Sequence, residues 1–404
     1  MSLWIRLLPL FIFYTTQVHA AALDKSGQSI TAFLEKNHYA EFSLAQVQAD
    51  IVGHVPQRPE LIAAGLQDFS TSNLVPAYVF AQAAIKLQIH PQISVGFLYD
   101  QPFGANVAYE IYSPTQNTPA LEATSFDLQT ESLSILFGFQ PTQHWNLFTG
   151  LNYQNFEADL SLQGQTFSVF DGYQAHFSQD AAIGGIVGIS YQIPEYAFRS
   201  TLTYRSKVKY QSVIQESIAE KKLEFSREIP THINTPQSIN VDLQTGIMPK
   251  TLLYSSIRWV DWSTFSLQPT QFNAVTQYIL NLLNMPKNKI YLIDYQNDQW
   301  FATLGIARQL SPKWMMSVDS GWDSGTDQPT STLGPIDSSY HAGLNARYDL
   351  NTQTFISIGM KYFWLNPARE PDPSTLNAAE KMMTLTPSGR NDAFAYGFKI
   401  GHSF

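Results

Sequence analysis

The sequence predicts an all-β protein: a closed antiparallel transmembrane β-barrel of about 14 strands with a short N-terminal lumen plug. Three features point to this fold class. They are the alternation in the last strand, a low content of charged residues, and tight turns that alternate with long loops. We expect the barrel to occupy residues 38–404 and the plug, or hatch, to occupy residues 21–37, after a signal peptide at residues 1–20.

Aromatic and aliphatic side chains alternate with small or polar ones in the last twelve residues. Phe394, Tyr396, Phe398 and Ile400 share one parity, and the chain ends on Phe404. Successive side chains of a strand point to opposite faces, so one face suits lipid and the other suits a polar lumen. We expect Phe404 to act as the assembly signal, because a terminal aromatic residue resembles the sorting signal that the barrel assembly machinery reads.

The overall composition conflicts with both a soluble protein and a helical membrane protein. Charged residues make up 14% of the 404 residues, whereas soluble domains contain about 25%. The mean hydropathy is nevertheless −0.15, and no apolar run beyond the N-terminus approaches the roughly 20 residues of a spanning helix. A barrel removes the conflict, since only half of each strand faces lipid.

Several functional classes are disfavoured by the residue types present. The chain has no cysteine, which excludes disulfides, thiol nucleophiles and cysteine metal sites. Its net charge of −9 argues against nucleic acid as a partner. Its nine histidines show no metal-ligand spacing, and there is no nucleophile elbow or Gly-rich phosphate loop. We expect no enzyme, no metal and no cofactor; the enzyme alternative is an outer-membrane esterase or protease.

The N-terminus has the three regions of a signal peptide. A short basic start is followed by an apolar stretch at residues 7–14, and Val18 and Ala20 are small residues at the positions that signal peptidase reads. We predict cleavage before Ala21 and insertion into the outer membrane of a Gram-negative bacterium. The alternative, a membrane anchor, needs a longer apolar run.

Tight turns and long segments alternate along the rest of the chain. The tight turns lie at 90–92, 141–144, 193–195, 248–250, 311–313 and 349–352. The long segments lie at 101–124, 161–179, 211–235, 268–296, 323–338 and 365–392. Six hairpins and two terminal strands give an even strand count, with short turns facing the periplasm. Residues 21–37 precede the first strand, so we expect them to enter the lumen; the alternative is a disordered tail.

Four cations fall on the lumen-facing parity of the predicted strands: Arg205, Lys207, Arg258 and Lys361. An arginine that faces lipid near the bilayer centre costs about 2–4 kcal/mol, and a lumen position avoids this cost. These cations are therefore candidates to meet a carboxylate.

Apolar residues recur at helical spacing within the segment 268–296. They include Phe272, Tyr278, Ile279, Leu282 and Leu283. We expect an apolar helix that serves as a landing surface for a hydrophobic ligand. The alternative is a helix that packs only on its own loops.

The segment from Asp100 to Gly104 carries strand-breaking residues. Pro102 cannot donate to the ladder, and Gly104 permits a bend, with Phe103 between them. These residues either kink the third strand or simply end it and open a loop.

Several tracts resemble the FadL-type family of outer-membrane transporters for long-chain fatty acids and other hydrophobic compounds. The hatch start is similar at Leu23, Asp24, Ser26, Gly27 and Gln28. The kinked third strand, the seventh, the eighth and the ninth strands are similar at 99–104, 202–209, 235–240 and 256–263. Unlike family hatches, this one is short and has no Asn-Pro-Ala tract before the first strand.

The resemblance implies passive uptake of a hydrophobic ligand such as a fatty acid. The ligand would be captured by apolar loops, enter an apolar pocket and leave sideways near the third strand into outer-membrane lipid. We expect a monomer. A general or polar-solute porin is the rival interpretation, but the apolar helix and the hatch argue against it.

Overall fold

The computed structural model describes residues 23–54, 70–112, 119–164, 169–224, 231–282, 284, 291–295, 297–326, 336–367, 386–387 and 391–404. The predicted signal peptide, its cleavage before Ala21 and the predicted ligand contact Leu283 lie outside these residues.

The described chain forms one closed antiparallel barrel of fourteen strands, which confirms the predicted fold class. The strands are β1 (Tyr39–Asp50), β2 (Tyr78–His90), β3 (Ile93–Asp100 and Gly104–Tyr112), β4 (Pro119–Phe139), β5 (Trp145–Gln163), β6 (Tyr173–Ile193), β7 (Phe198–Arg205, Val208–Ser212 and Ile214–Ile218), β8 (Thr231–Thr235 and Ser238–Met248), β9 (Thr251–Val260), β10 (Gln299–Gln309), β11 (Trp314–Asp323), β12 (Ile336–Asp349), β13 (Thr354–Pro367) and β14 (Asp392–Ser403). The barrel closes because β1 pairs with both β2 and β14, so that Ala45 lies beside Phe80 and Gly397.

Short elements complete the described chain. The short strands are Gly53–His54, Ser70–Thr71, Lys221–Lys222, Ser266–Leu267, Ile293–Asp294 and Thr386–Pro387. The 3-10 helices are Thr31–Leu34, Pro194–Tyr196 and Trp262–Thr264, and the α-helix α1 is Thr270–Leu282. Within the described ranges, no helix has the length and hydropathy needed to cross a bilayer.

The two ends of the barrel differ. The six tight turns join β2 to β3, β4 to β5, β6 to β7, β8 to β9, β10 to β11 and β12 to β13, all at one end, which we call the turn end. The barrel also starts and finishes there, since the Phe404 amide donates to the His38 carbonyl at 3.1 Å. The opposite end, which we call the loop end, carries α1. This is the predicted asymmetry.

The outer face is apolar, as the alternation in β14 predicts. Phe394, Tyr396 and Phe398 are exposed, whereas Ala393 and Ala395 are buried. Exposed apolar side chains continue around the other strands, which is the surface that a lipid-facing wall requires.

Strands β4, β5 and β6 extend further toward the loop end than the sequence predicts. The predicted loop 101–124 contains the second segment of β3 and the start of β4, and the predicted loop 161–179 contains the start of β6. The outward side chains become polar beyond Leu133, as at Glu131, while the inward Phe126 and Leu128 stay apolar and buried. These strand ends extend beyond the lipid, so their outward side chains are polar. The alternation that predicts a lipid-facing strand is therefore absent there, and the sequence did not reveal them.

Candidate functional site

The third strand is broken and then resumes. Its first segment pairs with β2 as far as Ala83 and Tyr99, and with β4 on its other edge. After Asp100 the chain leaves the ladder, and it rejoins β4 at Gly104. In the described residues, Tyr78–Gln82 of β2 has no register partner in the second segment of β3. A gap in the wall therefore lies between β2 and the start of the second segment of β3, whose later residues Ala108 and Glu110 bond to Leu74 and Ser72 instead.

The hatch supplies backbone partners for the broken strand. The Lys25 amide donates to the Pro102 carbonyl at 2.8 Å, and the Gly104 amide donates to the Leu23 carbonyl at 2.8 Å. The Phe103 amide donates to Thr130 Oγ1 at 2.9 Å. These contacts matter because an unpaired backbone group facing lipid costs several kcal/mol. Pro102, Phe103 and Gly104 thus interrupt β3 rather than end it.

Glycine is required at position 104 by the closeness of β4. A Cβ there would lie 2.7 Å from the Leu128 carbonyl oxygen, a backbone atom, and 2.5 Å from Lys25 Nζ. The end of the flexible Lys25 side chain could move aside, but the backbone of β4 could not.

A buried ion pair fixes the hatch to the opposite wall. Arg258 Nε donates to Asp24 Oδ2 at 2.7 Å, and both side chains are 1% exposed. The other guanidinium nitrogens donate to Gln28 Oε1 at 3.0 Å and to Asn240 Oδ1 at 2.7 Å. A buried charge pair is tolerated only when its remaining groups are hydrogen-bonded, as they are here.

The remaining predicted hatch residues also contact the barrel wall. Asn240 Nδ2 donates to the Gly27 carbonyl at 2.8 Å, and Arg205 Nη2 donates to the Gln28 carbonyl at 3.2 Å. Ser26 Oγ donates to Asp100 Oδ2 at 2.7 Å, beside the break in β3. The hatch residues named from the sequence therefore meet β3, β7, β8 and β9.

The hatch closes the lumen on its way to the turn end. Phe33 is fully buried with its ring centroid 5.9 Å from that of Phe148. Lys86 Nζ donates to the Glu35 carbonyl at 2.7 Å. Burial raises the pKa of the Glu35 carboxyl to about 7, and Arg199 opposes that rise. A cavity of about 660 Å³ opens below these residues toward the turn end.

An apolar cluster fills the loop half of the lumen. We call the following residues the upper cluster: Leu23, Leu74, Phe80, Phe103, Val107, Phe126, Leu128, Phe156, Leu160, Phe170, Tyr173, Phe177, Tyr210, Trp262, Phe265, Phe272 and Val275, with others. Trp262 lies at its base, edge-on to Phe103 with ring centroids 5.4 Å apart. The cluster therefore reaches from the broken strand to α1.

Helix α1 covers the upper cluster. Phe272 and Val275 are buried in the cluster, and Ile279 packs against it. Tyr278 and Leu282 are 54% and 64% exposed, so they face away from it. The predicted apolar surface is thus divided between an inward and an outward face.

Glu216 anchors the start of α1, a role that sequence reasoning missed. Its carboxylate accepts hydrogen bonds from the amides of Gln271 and Phe272 at 2.8 and 2.6 Å. The Tyr173 hydroxyl donates to the same carboxylate at 2.8 Å. A carboxylate at a helix N-terminus is favourable because of the unpaired amides there. The sequence offered one signal for this role: Glu216 is an acidic residue at a position where the alternation of the strand places side chains inward.

Three of the four predicted lumen cations point inward. Arg205 and Arg258 contact the hatch, and Lys361 Nζ lies 3.4 Å from Asp319 Oδ1. The prediction is wrong for Lys207, which is exposed, while the next residue, Val208, is buried. The ladder is interrupted between Arg205 and Val208, and the interruption reverses the parity of the strand.

Phe404 lies at the turn end and is exposed. Its ring stacks on His38 and His402, with centroids 5.4 and 5.8 Å apart. The terminal aromatic residue is therefore accessible, and its role as an assembly signal stays a prediction.

These features define a class: a closed transmembrane barrel whose lumen is blocked by an N-terminal hatch. Residues 25–404 match the family described as outer membrane protein transport protein (OMPP1/FadL/TodX). The chain belongs to this family of outer-membrane transport proteins. No curated protein sequence matches it.

Solved structures share the fold at low sequence identity. A Pseudomonas aeruginosa FadL homologue is 12% identical with a TM-score of 0.65, over 92% of this chain and 91% of that chain. The Pseudomonas putida toluene transporter TodX is 12% identical with a TM-score of 0.59, over 92% and 91%. The CymD monoaromatic hydrocarbon channel is 10% identical with a TM-score of 0.52, over 91% and 88%.

Proposed function

We propose that the protein is a passive outer-membrane uptake channel for long-chain fatty acids or related hydrophobic compounds. The ligand lands at the loop end, enters the upper cluster beneath α1 and leaves through the gap between β2 and β3. The observation that carries this proposal is the continuity of the upper cluster from Phe272 under α1 to Phe103 at the break.

The apolar lining supports a hydrophobic ligand. Burying apolar surface stabilises by about 25 cal/mol per Å², so a ligand with many methylenes gains free energy when it leaves water for this apolar lining. The names of the relatives TodX and CymD refer to toluene and monoaromatic hydrocarbons, which belong to the same broad chemical class.

The hatch supports a sideways exit. It fills the straight path with buried, hydrogen-bonded contacts to β3, β7, β8 and β9. The gap between β2 and β3 is crossed by two side-chain bonds, from the Ala81 amide to Gln101 and from Gln82 to Asp100. A short stretch of hatch bonds to the edge of β3.

Sealing the gap tests the exit route. Ala81 and Gln101 face each other across it, with the Ala81 amide 3.0 Å from Gln101 Oε1. We expect an Ala81→Cys, Gln101→Cys pair joined by a short bis-maleimide to reduce fatty-acid uptake strongly in a strain that lacks its own transporter. The chain has no native cysteine to interfere.

The matched control joins Ala83→Cys to Tyr99→Cys. These residues are direct register partners of the same two strands, below the gap. Uptake should survive this second cross-link. Equal uptake by the sealed and control proteins would contradict a side exit, and rapid sugar flux in liposome swelling would favour a polar-solute porin.

A further inference from the structure

The side chain of Lys25 lies in the gap between β2 and β3. Its Nζ is 4.8 Å from the centroid of the Tyr78 ring on β2. On the other side, the same nitrogen is so close to Gly104 that an added Cβ would lie 2.5 Å from it. The ammonium therefore bridges the two edges that the broken strand leaves apart.

The surroundings of this ammonium are largely apolar. Leu23, Phe80 and Phe103 of the upper cluster are buried nearby in the hatch and on the two gap strands, and Tyr78 packs against that cluster. Within the described chain Lys25 forms no ion pair, although Asp127 on β4 attracts it over a longer distance. Burial lowers the pKa of the Lys25 ammonium, with Asp127 opposing the change.

A partly buried cation beside the apolar upper cluster has a specific chemical complement. The face of the Tyr78 ring compensates the charge of the Lys25 ammonium only in part, since a cation–π contact contributes less free energy than a charge-assisted hydrogen bond to an anion. Three other inward cations are already engaged: Arg205 with the Gln28 carbonyl, Arg258 with Asp24, and Lys361 with Asp319. Lys25 is the cation that a ligand leaving the upper cluster would meet.

We propose that Lys25 is the carboxylate-binding residue of the side exit, so that the channel selects long-chain anionic amphiphiles over uncharged chains of the same length. The tail lies along Phe103 and Phe80, and the head group takes the place of the Tyr78 ring on the ammonium. This inference rests on the proposed function, because it assumes that ligand passes through the gap.

The test compares equilibrium binding of oleate and oleyl alcohol to the purified full-length barrel in nanodiscs. These probes share a tail and differ in the charge of the head group. In Lys25→Met, whose unbranched side chain is one atom shorter and uncharged, we expect oleate affinity to fall roughly 10-fold or more and alcohol affinity to stay unchanged or rise. Lys25→Arg should retain the preference for oleate.

The matched control is Lys313→Met. Lys313 also holds its ammonium over a tyrosine, at 5.7 Å from the Tyr348 ring centroid, but it lies at the turn end. This variant should bind both probes as the unsubstituted protein does. Heat-modifiable migration of each variant in a gel verifies that the barrel is closed.

The outcomes separate the two proposals. Unchanged oleate affinity in Lys25→Met, or an equal change for both probes, would overturn the carboxylate role of Lys25 while leaving hydrophobic uptake intact. If the unsubstituted protein bound neither probe, the proposed function itself would fail.

Discussion

Asp24→Asn should release the hatch from the barrel wall. The substitution keeps the shape of the side chain but removes the negative charge that faces Arg258 at 2.7 Å, in a site where both side chains are buried. Removing one partner of a buried ion pair costs about 3–5 kcal/mol, because the other charge is left without compensation. Arg258 keeps its bonds to Asn240 and Gln28, so we expect the lower end of this range.

The size of the effect on the hatch follows from the same figures. Every 1.4 kcal/mol changes an equilibrium tenfold, so a loss of about 3 kcal/mol raises the undocked population of the hatch roughly 100-fold. The barrel itself should persist, since the strands of the wall do not depend on Asp24 and local elements open independently of the global fold.

Two measurements report the undocked hatch. Sugar flux in liposome swelling should rise in Asp24→Asn, and hydrogen exchange should accelerate at residues 23–35 but not in the strands. Glu41→Gln is the matched control: Glu41 also pairs inside the lumen, with Lys399 at 3.1 Å, but this pair joins β1 to β14, and the Tyr39 hydroxyl that also donates to Glu41 belongs to β1 rather than to the hatch.

Replacing both partners provides the decisive comparison. Apolar residues of similar volume often substitute for a buried ion pair without loss of stability, so Asp24→Leu with Arg258→Met should restore docking in part. If Asp24→Asn left sugar flux and exchange at the level of the unsubstituted protein, the ion pair would not be what holds the hatch.

Three further predictions concern α1, the pH response of the hatch, and assembly. Glu216→Ala should accelerate exchange in α1 by removing its N-terminal acceptor, whereas Glu216→Gln should have a smaller effect because it keeps one oxygen. For Glu35, the folded pKa of about 7 exceeds the ordinary 4.5, so the docked hatch binds more protons and loses up to about 3 kcal/mol as pH rises from 4.5 to 7. The protection factors of residues 31–35, which divide out the intrinsic pH dependence of amide exchange, should fall over that window and should not depend on pH in Glu35→Gln. Deleting Phe404 should lower the amount of heat-modifiable barrel in the outer membrane, and normal assembly would argue against the terminal signal.

The outer face was predictable because lipid imposes a simple rule on it. Each strand must alternate, and the turns must be tight at one end, so strand number and closure follow from sequence pattern. The rule failed where a strand leaves the bilayer, as β4 does beyond Leu133, and where a ladder is interrupted, as at Lys207. In both places the alternation of apolar and polar residues no longer indicates which side of the barrel wall a residue faces.

The lumen was less predictable because its contacts join distant parts of the chain. Asp24 and Arg258 are 234 positions apart, and Arg205 meets the carbonyl of Gln28 across 177 positions. Sequence parity placed both arginines inward but could not name their partners. The anchoring of α1 by Glu216 was missed for the same reason, since the helix and its acceptor lie 55 positions apart.

The hatch favours a side exit over a straight path on energetic grounds. Opening the straight path breaks the Asp24–Arg258 pair, the bonds of Arg205 and Asn240 to the hatch backbone, and the packing of Phe33. Opening the gap moves the side chain of Lys25 and breaks two bonds that cross it, from the Ala81 amide to Gln101 Oε1 and from Gln82 Nε2 to Asp100 Oδ1. The two backbone bonds from Leu23 and Lys25 still satisfy the broken edge of β3. Because unpaired backbone groups are so unfavourable next to lipid, we expect the proposed side exit, which preserves these backbone bonds, to have the lower barrier.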